Sequence, residues 1–260
     1  MLGIMKINFK YSAFLFLVAI FVFPNFTNAQ YLASDLLGQL DGSDNPVFTT
    51  NAANNGGVTA NDKGMSFVRG SALDLVHHRL FIADQSNSRI LVFNLDSSNN
   101  LIDRIADYVL GQPDFITNTG STTQNGINTP ISIAYDPDNN RLFLADTLNN
   151  RILIYDLSSG ITNFMNASYV LGQPDFITAT ANTTQNGLNS PSDGMVYEPL
   201  TQKLFLADQS NRRVVVYDLS SGITNGMNAS YVLGQADFTS SAGALTQSNF
   251  HGPRAVAYDV

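Results

Sequence analysis

Three aspartates are the first residues in this chain that could do chemistry. Asp84, Asp146 and Asp208 are each followed three residues later by asparagine (Asn87, Asn149, Asn211) and five later by arginine (Arg89, Arg151, Arg213). A carboxylate with an amide and a guanidinium at fixed offsets could serve as a general acid or base, or as an anchor for an ion. The spacing argues otherwise. Subtraction of the residue numbers puts the aspartates 62 residues apart both times, and a single active site needs its acid once. A structural unit needs its fasteners in every copy. The carboxylate can accept bonds from a turn's backbone N–H groups, and the arginine can pair with it or with an adjacent unit.

Departures from the repetition are better site candidates. Where each unit begins its first strand, the aligned positions are Arg69, Ile131, Ser192 and Arg254. The third copy carries one extra residue around Ser192-Asp193-Gly194, which reads as a bulge, and His251 stands where other copies have Asn128 and Asn189. Arg69, Asp193, His251 and Arg254 are therefore the candidate ligand-binding set, at the mouth of a central channel, for an anionic or polar ligand. Ordinary drift on solvated loops is the competing reading. No catalytic residue, metal ligand or cofactor is assigned: His77, His78 and His251 lack metal-ligand spacing, and there is no cysteine and no phosphate-cradling glycine loop or nucleophile elbow. Asp136-x-Asp138-x-Asn140 opens like a calcium loop but lacks the later glycine and glutamate, so it reads as a hairpin turn. Asn166, Asn182 and Asn228 open glycan-acceptor patterns, two of them repeated, which points to turn chemistry.

The elements that position these residues follow from patterning. In the middle copy, Ile131–Asp136, Arg141–Ala145 and Arg151–Leu157 read as strands rich in β-branched and aromatic residues, separated by Pro-Asp-Asn-Asn and Asp-Thr-Leu-Asn-Asn turns. Tyr169–Gly172 is a short fourth strand. Its motif, Tyr-Val-Leu-Gly-Gln, recurs from Tyr108 and Tyr231. The glycine marks a bend after the outer strand, and the glutamine ties down the following loop. Four antiparallel strands per unit, repeated without helices, describe the blade of an all-β propeller.

The run from Pro130 through Asp136, Leu142–Asp146 and Asn149-x-Arg151 resembles the NHL repeat, of the kind found in bacterial-type secreted proteins. The resemblance spans essentially residues 31–260. It implies a propeller of about six blades that binds partners through its loops; related propellers also include lyases and lactonases with a metal in the channel. The expected layout is blades at about 66–111, 130–173 and 191–235, with a partial fourth at 253–260. Asp35–Gln39 repeats the fourth-strand motif with no blade before it, as if to close a ring on a missing blade. On this reading the chain is a fragment, truncated at its C-terminus.

Residues 1–29 read as a secretory signal: Lys6 and Lys10, the apolar run Ala13–Phe23, then Thr27-Asn28-Ala29 before Gln30. The apolar run is short for a membrane span, so none is expected after cleavage. Localisation would be extracellular, cell-surface or periplasmic. The chain has net charge −8, and an acidic surface disfavours nucleic acid. Glu198 is the only glutamate among 21 acids, a bias toward turns rather than helices. Sequence thus points to a secreted or cell-surface binding scaffold for a protein or glycan. The alternative is an enzyme of lyase or lactonase type whose metal site other blades complete.

Overall fold

The computed structural model describes residues 35–244 and 246–259; the signal-like segment 1–29 lies outside them. Among the described residues, twelve strands form three four-stranded antiparallel sheets. The first holds β1 (Val68–Asp74), β2 (Arg79–Asp84), β3 (Arg89–Asn94) and β4 (Tyr108–Leu110). The second holds β5 (Pro130–Asp136), β6 (Arg141–Asp146), β7 (Arg151–Asp156) and β8 (Tyr169–Leu171). The third holds β9 (Pro191–Glu198), β10 (Lys203–Asp208), β11 (Arg213–Asp218) and β12 (Tyr231–Leu233). Each sheet is a meander ordered as the chain runs.

Alternation decides which face of a blade meets which neighbour, because successive side chains point to opposite sides. In the middle blade Leu142, Leu144, Leu153 and Tyr155 pack toward the first blade, against Phe81, Ala83, Ile90 and Val92. Phe143, Ala145, Ile152 and Ile154 pack toward the third, against Leu204, Leu206, Val215 and Tyr217. A strand buried on both faces must be apolar throughout, which is why β2, β3, β6 and β7 lack the polar half of the usual alternation. At about 25 cal/mol per Å² of apolar area removed from water, burial at these two interfaces stabilises the stack.

The first strands converge. The backbone of Gly70 in β1 passes so near β5 that a Cβ would meet the Ile131 carbonyl at 2.6 Å; Gly194 in β9 approaches Ala255 as closely, at 2.8 Å. Each convergent strand carries a bulge. Register slips between Val68 and Ser71, between Pro130 and Ile133, and opposite Leu206–Asp208, where the extra residue predicted around Ser192-Asp193-Gly194 is accommodated. The outer strands are capped by the next blade: Val109 N–H donates to Asn163 Oδ1 at 3.0 Å and Val170 N–H to Asn225 Oδ1 at 3.1 Å. That pairing covers edges that would otherwise be open.

Two expected segments differ in degree. Gly38 bridges Gly64 in parallel just as Gly111 bridges Gly126, and Leu37 packs on the first blade's far face with Met65 and Phe115. Asp35–Gln39 forms no strand, and its one bridge is that of Gly38. Pro253–Asp259 passes β9 without a ladder, since no second strand lies beside it among the described residues.

Candidate functional site

The repeated aspartates are wholly internal. Asp84, Asp146 and Asp208 are 0% exposed, as are Arg89, Arg151 and Arg213. In the middle blade Asp146 Oδ1 accepts from Asn128 N–H at 2.6 Å, while Oδ2 accepts from Asn149 Nδ2 at 2.9 Å and Arg151 Nε at 2.7 Å. Arg151 then spans two loops: Nη2 donates to the Thr123 and Gly126 carbonyls, both at 2.9 Å, and Nη1 to the Phe176 carbonyl at 2.5 Å. The other blades repeat the pattern through Arg89 with Asn61, Gly64 and Phe115, and through Arg213 with Thr184, Gly187 and Phe238. Asn87 and Asn211 likewise donate to Asp84 and Asp208 at 2.8 Å. Each set fastens the loop before a blade to the loop after it. The aspartate's backbone bond comes from the residue leading into the first strand, not from its own turn.

Burial pushes the Asp146 and Asp208 carboxyls up, opposed by the charges of Arg151 and Arg213. Every oxygen already accepts an N–H, so these groups are committed to the scaffold. The glutamines behave as expected: Gln112, Gln173 and Gln235 each donate from Nε2 to the carbonyl of the residue at the preceding turn's end, at 2.8–3.0 Å, and to the following loop, at 2.9–3.0 Å. Gly111, Gly172 and Gly234 hold φ of +90°, +84° and +82°, which glycine adopts without a Cβ penalty.

The four candidate ligand-binding residues separate into two places. Arg69 and Asp193, from β1 and β9, meet across β5 with Nε–Oδ1 at 3.6 Å, and Ser132 Oγ donates to the Asp193 carbonyl at 3.0 Å. The two charges lie against each other, so this cluster joins three blades at their convergence. His251 and Arg254 instead line a separate cavity of about 510 Å³ with Gln209, Ser210, Arg212 and Gly252. Gln209 and Arg212 carry little sequence signal, because Gln209 repeats Gln85 and Arg212 sits among residues that repeat. The available signal was the third-copy series Asp-Gln-Ser-Asn-Arg-Arg, with arginine where the other copies have Ser88 and Asn150.

A polar network that spacing did not suggest joins the first two blades at the opposite ends of these strands. Arg79 Nε and Nη2 donate to buried Asp74 at 2.8 and 2.5 Å, and Nη2 reaches Tyr135 Oη at 3.2 Å and Asn140 Oδ1 at 2.5 Å. Burial alone would raise Asp74, but bonds from the His77 backbone, Arg79 and Tyr135 hold its carboxyl below the usual range. Among the described residues no three His, Asp or Glu gather as a metal site, and no helix is long and apolar enough to cross a membrane.

Repeated four-stranded antiparallel meanders packed face to face, with their first strands converging, define an all-β propeller fold. Solved structures similar to the chain include the WD40 repeats of RRP9, at 14% identity and TM-score 0.41, covering 70% of this chain and 41% of that one. A nidogen/laminin complex is similar at 20% identity and TM-score 0.41, with 66% and 49% covered. U3-55K is similar at 15% identity and TM-score 0.41, with 70% and 42% covered. The chain therefore spans less than half the length of each of these structures. No family profile matches the chain, and no curated protein does.

Proposed function

We propose that the protein is an exported NHL-type propeller that acts as a non-enzymatic scaffold, presenting its inter-blade loops to a protein or glycan. One observation carries the reading: the three buried Asp–Asn–Arg sets, the residues best placed by type for chemistry, spend their polar atoms on one another and on the backbone of the loops flanking each blade. The loops they hold, from Gln112 to Thr129 and from Gln173 to Ser190, are long, polar and fastened at both ends. Held loops lose little entropy on binding, which favours recognition. Support for export comes from the basic, apolar and small-residue order of residues 1–29, and support for the NHL assignment from the Pro130–Arg151 pattern. The bridge of Gly38 to Gly64, matching that of Gly111 to Gly126, supports the repeat assignment of Asp35–Gln39.

The test is to express the full chain with its own leader in a bacterial host and examine the released protein. An N-terminus at Gln30 outside the cytoplasm is expected; retention in the cytoplasm with residues 1–29 attached would overturn export. Metal content of the purified protein separates scaffold from enzyme. A stoichiometric divalent ion would overturn the scaffold reading in favour of a lyase- or lactonase-type site.

A further inference from the structure

The residues around the third blade's cavity depart from their counterparts at His251, Arg254 and position 212, and the last departure has a cost. Position 212 is the left-handed residue that ends the turn after β10, with φ of 52°, matching Ser88 at 50° and Asn150 at 51°. Asparagine tolerates that conformation well, whereas arginine does so poorly. Asn150 does two jobs there. Its Nδ2 braces the following loop through the Ala179 carbonyl at 2.9 Å, and its Oδ1 accepts the Ser190 N–H at 2.8 Å. Arg212 keeps only the first job, donating from Nη1 to the Ser241 carbonyl at 2.7 Å. It has no acceptor for the second, so the N–H of Gly252, the counterpart of Ser190, cannot be bonded by this side chain.

The exchange adds charge as well. Arg212 and Arg254 line the cavity together with His251. Among the described residues neither arginine forms an ion pair, a state shared only by Arg141, while Arg69, Arg79, Arg89, Arg104, Arg151 and Arg213 all do. The nearby Asp208 is engaged with Arg213 at 2.8 Å. Gln209 orients Arg254, its amide oxygen accepting from Nε and Nη2 at 3.2 and 3.3 Å in the amide orientation that satisfies both ends. In a chain of net charge −8, two guanidinium groups that have no counter-ion among the described residues, a histidine and a relinquished acceptor meet in one polar cavity.

We propose that this cavity binds an acidic saccharide, its carboxylate or sulfate seated between Arg212 and Arg254 and its hydroxyls bonded by Gln209, Ser210 and His251. Planar guanidinium forks match oxyanions bidentately. An oxyanion also supplies the acceptor that Ser88 and Asn150 supply in the other blades. Every lining residue except Gly252 carries a polar side chain, which suits a hydroxylated ring better than an apolar peptide side chain. The inference rests on the scaffold reading and names the ligand class of one of its surfaces.

Isothermal titration of the full chain with oligogalacturonate, a sulfated heparin-type tetrasaccharide, a neutral cello-oligosaccharide and hexa-aspartate tests it. Binding of one acidic saccharide, weakened by salt, is expected, and the galacturonate and sulfate arms decide which anion is taken. Arg212→Asn restores the residue used at position 150 and should fold as the parent does, yet weaken binding at least about tenfold, the loss expected for one charged hydrogen-bonded contact. Arg254→Gln, on the exposed rim, should do the same, and Arg69→Gln should leave binding unchanged. Unchanged affinity in Arg212→Asn, no binding of either acidic saccharide, or tighter binding of hexa-aspartate would each overturn the proposal. Neutral-glycan or protein binding insensitive to Arg212→Asn would overturn this site while leaving the scaffold reading intact.

Discussion

Arg151 is fully buried, and its value to the fold comes from what would be left behind without it. Replacing it with methionine strands the Asp146 charge and three loop carbonyls, so urea melts should show a loss of ~3–5 kcal/mol, the usual cost of halving a buried pair. Arg69→Met removes a half-exposed pair with its charges 3.6 Å apart, and should cost no more than ~1 kcal/mol in the same melts. The buried tyrosines predict the opposite sign. Tyr155 and Tyr217 hydroxyls lie buried without a hydrogen-bond partner, and burial raises their pKa. The first blade has Phe93 at that place, opposite Leu80 as Tyr155 is opposite Leu142. Tyr155→Phe should therefore raise stability by ~1 kcal/mol by removing an unsatisfied polar group. A loss of similar size in thermal melts would mean the hydroxyl is in fact bonded.

At the scale of elements, the bend after each outer strand combines two constraints that substitution can separate. Gly172 has φ of +84°, and a Cβ there would lie 2.4 Å from Leu188 Cδ1 and 3.1 Å from the Asn150 carbonyl. Gly160 has φ of +93° with nothing within 4 Å. Gly160→Ala should cost ~1–2 kcal/mol, the left-handed penalty alone. Gly172→Ala adds overpacking of the inter-blade core, a further ~1–3 kcal/mol. Equal losses in chemical denaturation would show that the Leu188 side chain yields freely. The same contact explains why Leu188, between two polar loops, is 0% exposed: it is the plug beneath the bend.

The whole molecule carries its acids mostly in turns, and that sets its response to pH. Asp114 and Asp175 are held below the usual carboxylate range by bonds from Thr117 and Thr178, Asp96 by the Asn100 backbone, and Asp237 by the Thr239 backbone. Asp74 is lowered as well. A lowered folded-state pKa means that the unfolded chain takes up protons first. These groups therefore stabilise the fold above the ordinary carboxylate value of 3.8, and the contribution disappears as pH falls through their lowered values. Asp146 and Asp208, pushed up by burial, act with the opposite sign, and their contribution is lost as pH rises. The turn aspartates are more numerous, so the melting temperature should fall on acidification from about pH 5 to about pH 3. A rise over that range would mean the two buried carboxyls dominate.

The sequence by itself determined the blades. Strand runs, turn clusters and the spacing of Asp84, Asp146 and Asp208 place the repeats, because local periodicity is a property of the chain. It also determined that these aspartates, with their asparagines and arginines, belong to the scaffold. What it left open was which loops each arginine fastens, and which non-repeated residues meet. Those are contacts between segments far apart in sequence, set by how blades twist and stack rather than by any local pattern. Arg69 and Asp193, read as part of a ligand site, prove to face each other across β5, while His251 and Arg254 meet Arg212, a residue hidden in sequence by its repeated neighbours. Only the tertiary structure could decide which of these side chains meet, because packing alone fixes whether a charge has a counter-ion beside it.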